Sequence, residues 1–108
     1  GRESSAFGYA QALDGTWADY KKATGRSIAR RSSIRDSADF MGWYMTKTRK
    51  LTGVSLSDAK NQYLAYHEGQ VGYLKGSYKR KKWLIKKADN VGNRSLKYKR
   101  QLESCIRT

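Results

Sequence analysis

The carboxylates are the side chains of this 108-residue chain that could do acid–base chemistry, and there are nine of them. Asp14, Asp36 and Asp58 stand where helix caps are expected. Glu3 and Glu68 are the candidates for a general acid, a role that needs a carboxyl group with a raised pKa. The others lie inside predicted helices, where we expect them to be solvated or paired with lysines: Asp19, Asp39, Asp89 and Glu103.

The sole histidine, His67, directly precedes Glu68, and this pair invites comparison with the zinc-binding HExxH pattern. The pattern fails because Val71 stands where the second histidine is required. Cys105 is the sole cysteine, so the sequence offers no Cys/His cluster with metal-ligand spacing and no internal disulfide. We therefore predict no metal ion and no other cofactor.

Four helices are predicted to position these residues, and no segment alternates like a strand, so the predicted fold class is all-α. Apolar spacing and flanking caps predict helices at residues 14–24, 36–52, about 57–67 and about 79–104. A glycine-rich turn is predicted between the last two helices. The residues predicted to face inward are Trp17, Tyr20, Phe40, Met41, Tyr44, Met45, Ala59, Tyr63, Leu64, Tyr66, Leu84, Ala88, Val91, Ser95, Tyr98 and Leu102.

The formal net charge of +14 predicts attraction to a polyanion such as nucleic acid, an anionic membrane face or acidic cell-wall peptides. The basic run at residues 75–87 is interleaved with Tyr73, Tyr78 and Trp83, and aromatic side chains among cations can stack on bases. Trp83 also adjoins Leu84 on the apolar stripe, so we predict that it is core and that the lysines form a solvated face. No apolar run reaches the ~20 residues of a membrane span.

Two segments resemble signature segments of the soluble lytic transglycosylase family. Residues 5–17, SAFGYAQALDGTW, resemble the family's Gly-Ala-x-Gly-Leu-Met-Gln-Ile-Met-Pro-x-Thr-Ala. Residues 64–69, LAYHEG, resemble its Ala-Tyr-Asn-Ala-Gly, with His67 and Glu68 in place of the asparagine and the second alanine. The positions that coincide with the family's pattern are Ala6, Gly8, Gln11, Thr16, Ala65, Tyr66 and Gly69.

The resemblance implies that residues 1–108 form a single small lysozyme-like domain, the C-terminal portion of a larger one. The family cleaves peptidoglycan between N-acetylmuramic acid and N-acetylglucosamine and leaves a 1,6-anhydro product, with one glutamate as the acid. That glutamate precedes a serine and stands well before the first segment. Here Glu3 has the serine but lies only five residues before Gly8, so we expect the acid to be missing, with Glu3 as a weak candidate.

The resemblance also places three residues at the substrate cleft. Gln11 would hydrogen-bond the sugar or the cleft backbone, Tyr66 would orient the acid, and His67 would take the place of the asparagine. A plain core role is the alternative for Tyr66. The expected partner is the peptidoglycan glycan strand, and the expected location is the bacterial periplasm with outer-membrane association.

Two other functions stay open at this point. One is a non-catalytic structural component of a cell-envelope or secretion assembly, in which the cleft is kept as a docking surface. The other is a basic nucleic-acid-binding module, for which the segment at residues 75–87 is the motivation.

Overall fold

A computed structural model of the chain describes residues 14–107, and side chains through residue 105. This part of the chain is helical and contains no strand, which confirms the all-α prediction. None of its helices is long and apolar enough to cross a membrane. The helices are α1 (Asp14–Thr24), α2 (Ile34–Thr52), α3 (Ala59–Glu68), α4 (Gln70–Leu74) and α5 (Lys82–Arg107), with a 3-10 turn at Ser77–Arg80.

The chain divides into two compact units, which we describe separately. Unit 1 ends at Lys47 and unit 2 begins at Thr48. The single lytic-transglycosylase-like domain expected from the sequence stays a prediction.

The ends of the helices in unit 1 follow from local chemistry. Helix α1 has the predicted bounds, and Gly25 follows it with a φ of 71°, a left-handed conformation that glycine adopts at little cost. Helix α2 begins two residues earlier than predicted. The Oγ of Ser33 accepts a hydrogen bond from the backbone N of Asp36 at 3.2 Å, so Ser33 caps this helix and the prediction of Asp36 as the cap is wrong.

Aromatic rings form the core of unit 1. Trp17 and Tyr20 on α1 are buried as predicted, and they pack against Phe40 on α2 with ring centroids 5.1 and 5.4 Å away. Tyr44 is buried one turn further along α2. The indole N–H of Trp17 donates to the carbonyl of Ala29, which satisfies the one polar group that this ring would otherwise bury. Met41 and Met45 are half-buried.

A polar network lies at the edge of this core. The hydroxyl of Tyr20 donates to the Asp39 carboxylate at 2.5 Å, and Arg26 forms ion pairs with Asp36 and Asp39. The carboxylate of Asp36 thus binds Arg26 instead of capping α2. Burial, and then the hydrogen bond to Asp39, raise the pKa of Tyr20 to about 12. The hydrogen bond from Tyr20 is the main cause of a lowered pKa at Asp39.

We expect Tyr20→Phe to lower the free energy of unfolding by about 1 kcal/mol, because it removes a hydrogen bond to a charged acceptor that is itself half-exposed. The fold binds the phenol proton more tightly than the unfolded chain does. The contribution is therefore complete at neutral pH and is lost as the pH rises from 10 toward 12. Urea unfolding of the original chain and of Tyr20→Phe tests this prediction. Tyr98→Phe is the control, because the Tyr98 side chain is exposed. Equal losses in the two variants would contradict it.

Unit 2 is built on the packing of α3 against α5. The Asp58 carboxylate accepts a hydrogen bond from the backbone N of Asn61 and caps α3, as predicted. The main cluster of its core is formed by Leu64, Leu84 and Ala88, all predicted to face inward. Three tyrosines pack against it from the rim: Tyr63, Tyr73 and Tyr78.

Several predictions for unit 2 need correction. The predicted glycine-rich turn contains α4 and the 3-10 turn, and α5 begins at Lys82 instead of Lys79. Trp83 was predicted to be core, but 59% of its surface is exposed. Ala59, Tyr66 and Val91 are only partly buried, and the last predicted inward positions of α5 are exposed: Ser95, Tyr98 and Leu102.

Candidate functional site

The segment at residues 65–69 closes α3 and lies within unit 2. Ala65 is buried in the core, and Tyr66 is partly buried. Gly69 has φ 77° and ψ 156°, a backbone conformation that L side chains rarely adopt, and there the chain leaves α3 and starts α4. This glycine therefore fixes where His67 and Glu68 lie, at the very end of the helix.

Glu68 is held by three neighbours. Its carboxylate accepts hydrogen bonds from Lys81 Nζ at 2.8 Å and Ser77 Oγ at 2.7 Å, and His67 Nδ1 lies 3.0 Å from Oε2. Only 4% of the Glu68 side chain is exposed. The hydrogen bond from Lys81, followed by the one from Ser77, lowers the pKa of Glu68 to about 2. The carboxylate is therefore ionised at neutral pH.

This environment decides what Glu68 can do chemically. A general acid must carry a proton at the working pH, which requires a carboxyl pKa near that pH. The pKa of Glu68 is shifted in the opposite direction. As an ionised carboxylate, Glu68 can accept hydrogen bonds from its neighbours but holds no proton to give to a leaving group.

Gly72 lets the 3-10 turn reach Glu68. A Cβ atom built on Gly72 would lie 3.2 Å from Ser77 Oγ and 3.5 Å from Glu68 Cβ, the first closer than nearly all such contacts in proteins. The Ser77 hydroxyl donates to Glu68 from this position. A side chain at position 72 would therefore crowd the Ser77 hydroxyl that binds the Glu68 carboxylate.

His67 is oriented by Glu68 and by Trp83. An ionised carboxylate only accepts hydrogen bonds, so the Nδ1 atom of His67 carries the hydrogen, and in the neutral imidazole Nε2 is the acceptor. The imidazole packs nearly perpendicular to the Trp83 indole, with centroids 5.5 Å apart and planes at 79°. The His67 side chain is 38% exposed. A polar acceptor and an aromatic surface are therefore side by side at the protein surface.

The site residues predicted from the sequence divide into two groups. His67 and Tyr66 lie at the end of α3, and the structure brings His67 together with Glu68 and Trp83. Glu3 and Gln11 lie outside the described residues. Within residues 14–107 no group of three or more His, Cys, Asp or Glu side chains could hold a metal ion.

Sequence reasoning missed three residues of this site. Ser77 and Lys81 reach Glu68 only because the chain reverses after α3, which spacing alone does not reveal. The exposure of Trp83 could have been predicted, because its position lies about 100° around the helix from Leu84. That rotation takes Trp83 off the stripe that Leu84 shares with Ala88 and onto the basic side of α5.

A groove of about 300 Å³ lies between the start of α3 and the middle of α5. It includes the ion pair between Lys60 and Asp89, whose charged atoms are 2.7 Å apart. None of residues 65–69 lines it. Its charges are already paired, so the stronger candidate site is the one around His67.

A family model for the transglycosylase SLT domain matches residues 1–105, a range that contains both segments noted in the sequence. Neither a curated protein nor a solved structure matches the chain.

Proposed function

Because the chain belongs to the transglycosylase SLT family, we propose that it binds the glycan strands of peptidoglycan through the end of α3 in unit 2. Domains of this family typically act on peptidoglycan in the bacterial periplasm. We also propose that the chain associates with the outer membrane or with a cell-envelope assembly. The proposal of glycan binding rests on the family match and on the exposed, oriented His67 in the second family segment.

His67 is the proposed sugar-binding residue. Its Nδ1–H is bound to Glu68, so Nε2 is the atom that can accept a hydrogen bond from a sugar hydroxyl. Lys81 and Ser77 hold Glu68 and therefore act on the sugar only through His67. Binding then costs little ordering of the imidazole, because its rotation is already restricted.

Glu68 is not the residue that we propose as a catalytic acid. A lytic transglycosylase needs a protonated carboxyl group at the glycosidic oxygen, and Glu68 is ionised by its neighbours. Tyr66 is proposed to orient the acid and Gln11 to contact the sugar, as the resemblance implies. Glu3 is the remaining candidate acid.

Incubation of the 108-residue chain with purified sacculi tests the proposal. We expect the chain to sediment with the sacculi and to release no 1,6-anhydro products detectable by mass spectrometry. His67→Ala is expected to reduce the sedimenting fraction, and Lys60→Ala, on the Lys60–Asp89 pair, is the control that should retain it.

The outcomes of this experiment distinguish the possible functions of the chain. Products that disappear in Glu3→Gln would make Glu3 the acid and the chain a complete enzyme. Binding without products fits a binding domain, including a structural component of an envelope assembly. A chain that stays in the supernatant would contradict the proposal.

A second candidate function is nucleic-acid binding, which one observation favours. Trp83 was assigned to the core, yet its indole is exposed between basic residues at the start of α5, where it could stack on a base. Phosphate contacts release counterions, so this function requires an affinity that falls steeply with salt. Fluorescence titration with a single-stranded oligonucleotide over a salt series distinguishes it, and a flat response would exclude it.

A further inference from the structure

Trp83 is a large apolar side chain kept at the surface by its position on α5. It is the second residue of the helix, and 59% of it is exposed, whereas the neighbouring Leu84 is fully buried. Trp17 shows that the fold can bury an indole, since that ring lies inside unit 1. An exposed indole offers a large rigid contact area to a ligand.

The orientation of Trp83 is fixed by a chain of contacts that ends in a buried charge. Its indole packs against the His67 imidazole, His67 binds Glu68, and Glu68 is held by Lys81 at 2.8 Å. The carbonyl of Lys81 accepts the backbone N–H of Leu84, so the lysine also sets the first turn of α5. Both rings are thus preorganised, which reduces the entropy lost on binding.

A sugar ring matches the chemistry of this surface. A pyranose has an apolar face of C–H groups and a rim of hydroxyls, and here an aromatic surface lies beside a hydrogen-bond acceptor. We propose that Trp83 is a stacking surface for one pyranose ring of the glycan strand, next to the ring that His67 contacts. This inference rests on the proposed function and adds a second contact to the same site.

Collisional quenching of tryptophan fluorescence tests the stacking directly. The chain has three tryptophans, of which Trp17 is buried, Trp43 is half-buried and Trp83 is exposed. Acrylamide should therefore quench Trp83 most, and soluble glycan strands released from sacculi should protect it. Trp83→Phe should lose this protected signal, which assigns the signal to Trp83.

Affinity for the same glycan strands supplies the second measurement. Trp83→Ala should weaken binding about tenfold, the scale of one lost stacking contact. Tyr98→Ala is the matched control, because it removes an aromatic ring of similar exposure (65%) from the same helix and should leave affinity unchanged. Circular dichroism checks that both variants are folded, as expected for exposed side chains.

Three results would overturn the stacking proposal. If Trp83→Ala binds glycan as tightly as the original chain and Trp83 gains no protection, the stacking proposal is wrong and the proposed function stands. If the original chain does not bind glycan at all, the proposed function fails first. If an oligonucleotide protects Trp83 with a steep salt dependence while glycan does not, Trp83 stacks on bases instead.

Discussion

Leu84→Ala is expected to destabilise unit 2 by about 3 kcal/mol, the usual cost of deleting a fully buried leucine side chain. Leu84 has no exposed surface and packs in a small core cluster with Leu64 and Ala88. Few neighbours can relax into the cavity. Because α5 also carries Trp83, loss of this packing should abolish glycan binding as well. Urea unfolding followed by circular dichroism measures the change in stability.

Leu102→Ala is the matched control for this prediction. Leu102 lies on the same face of the same helix, five turns further on, but 62% of it is exposed. Its replacement should change stability by no more than about 0.5 kcal/mol. Similar losses in the two variants would mean that the face beyond Ala88 is covered, contrary to the structure.

Glu68→Gln is expected to lower the free energy of unfolding at neutral pH by about 2 kcal/mol, because a hydrogen-bonded carboxylate is replaced by a neutral amide. The folded-state pKa of Glu68 is about 2, below the ordinary value of 4.5. The stabilising contribution is therefore complete above pH 4.5 and is lost as the pH falls toward 2. Unfolding curves at several pH values within this range measure it.

The difference in stability between the original chain and Glu68→Gln should thus shrink toward zero as the pH approaches 2. Glu103→Gln controls for the removal of a glutamate from an exposed helical position and should differ little from the original chain at any pH. A difference for Glu68→Gln that stays constant with pH would show that the carboxylate charge is not what its neighbours stabilise.

Patterns in the sequence predicted the parts of the fold that are set by neighbours along the chain. The bounds of α1 follow from the spacing of Trp17 and Tyr20 and from Gly25, and Asp58 was correctly assigned as the cap of α3. The cap of α2 was misassigned because the Asp36 carboxylate binds Arg26. Capping rules consider only residues next to the helix end, so they do not include a contact ten residues away.

The stripe on α5 shows why periodicity overestimates burial. Leu84, Ala88, Tyr98 and Leu102 lie on one face, yet only the first two are buried. Helix α3 has 10 residues and α5 has 26, so their lengths are about 15 and about 39 Å. The shorter helix cannot cover the second half of the longer one. A periodic stripe reports which face could be buried, but burial requires an element that reaches it.

The candidate site was predictable in part. His67 and Glu68 stand in a recognisable family segment, so their neighbourhood could be proposed from the sequence. The ionised state of Glu68 could not, since it depends on Lys81, which comes close only after the chain turns at Gly69 and Gly76. Trp83 was misassigned because its neighbour Leu84 is core, although one helical position rotates a side chain far from that core.

Nuclear magnetic resonance of the isotopically labelled chain, titrated with soluble glycan strands from sacculi, most directly tests whether unit 2 recognises peptidoglycan through the end of α3. We expect the largest amide shifts at residues 65–69, with little change near Leu102, and we expect them to persist when salt screens the positive charge of the chain. Shifts confined to the lysines of α5 that vanish with salt, or no shifts at residues 65–69, would contradict this.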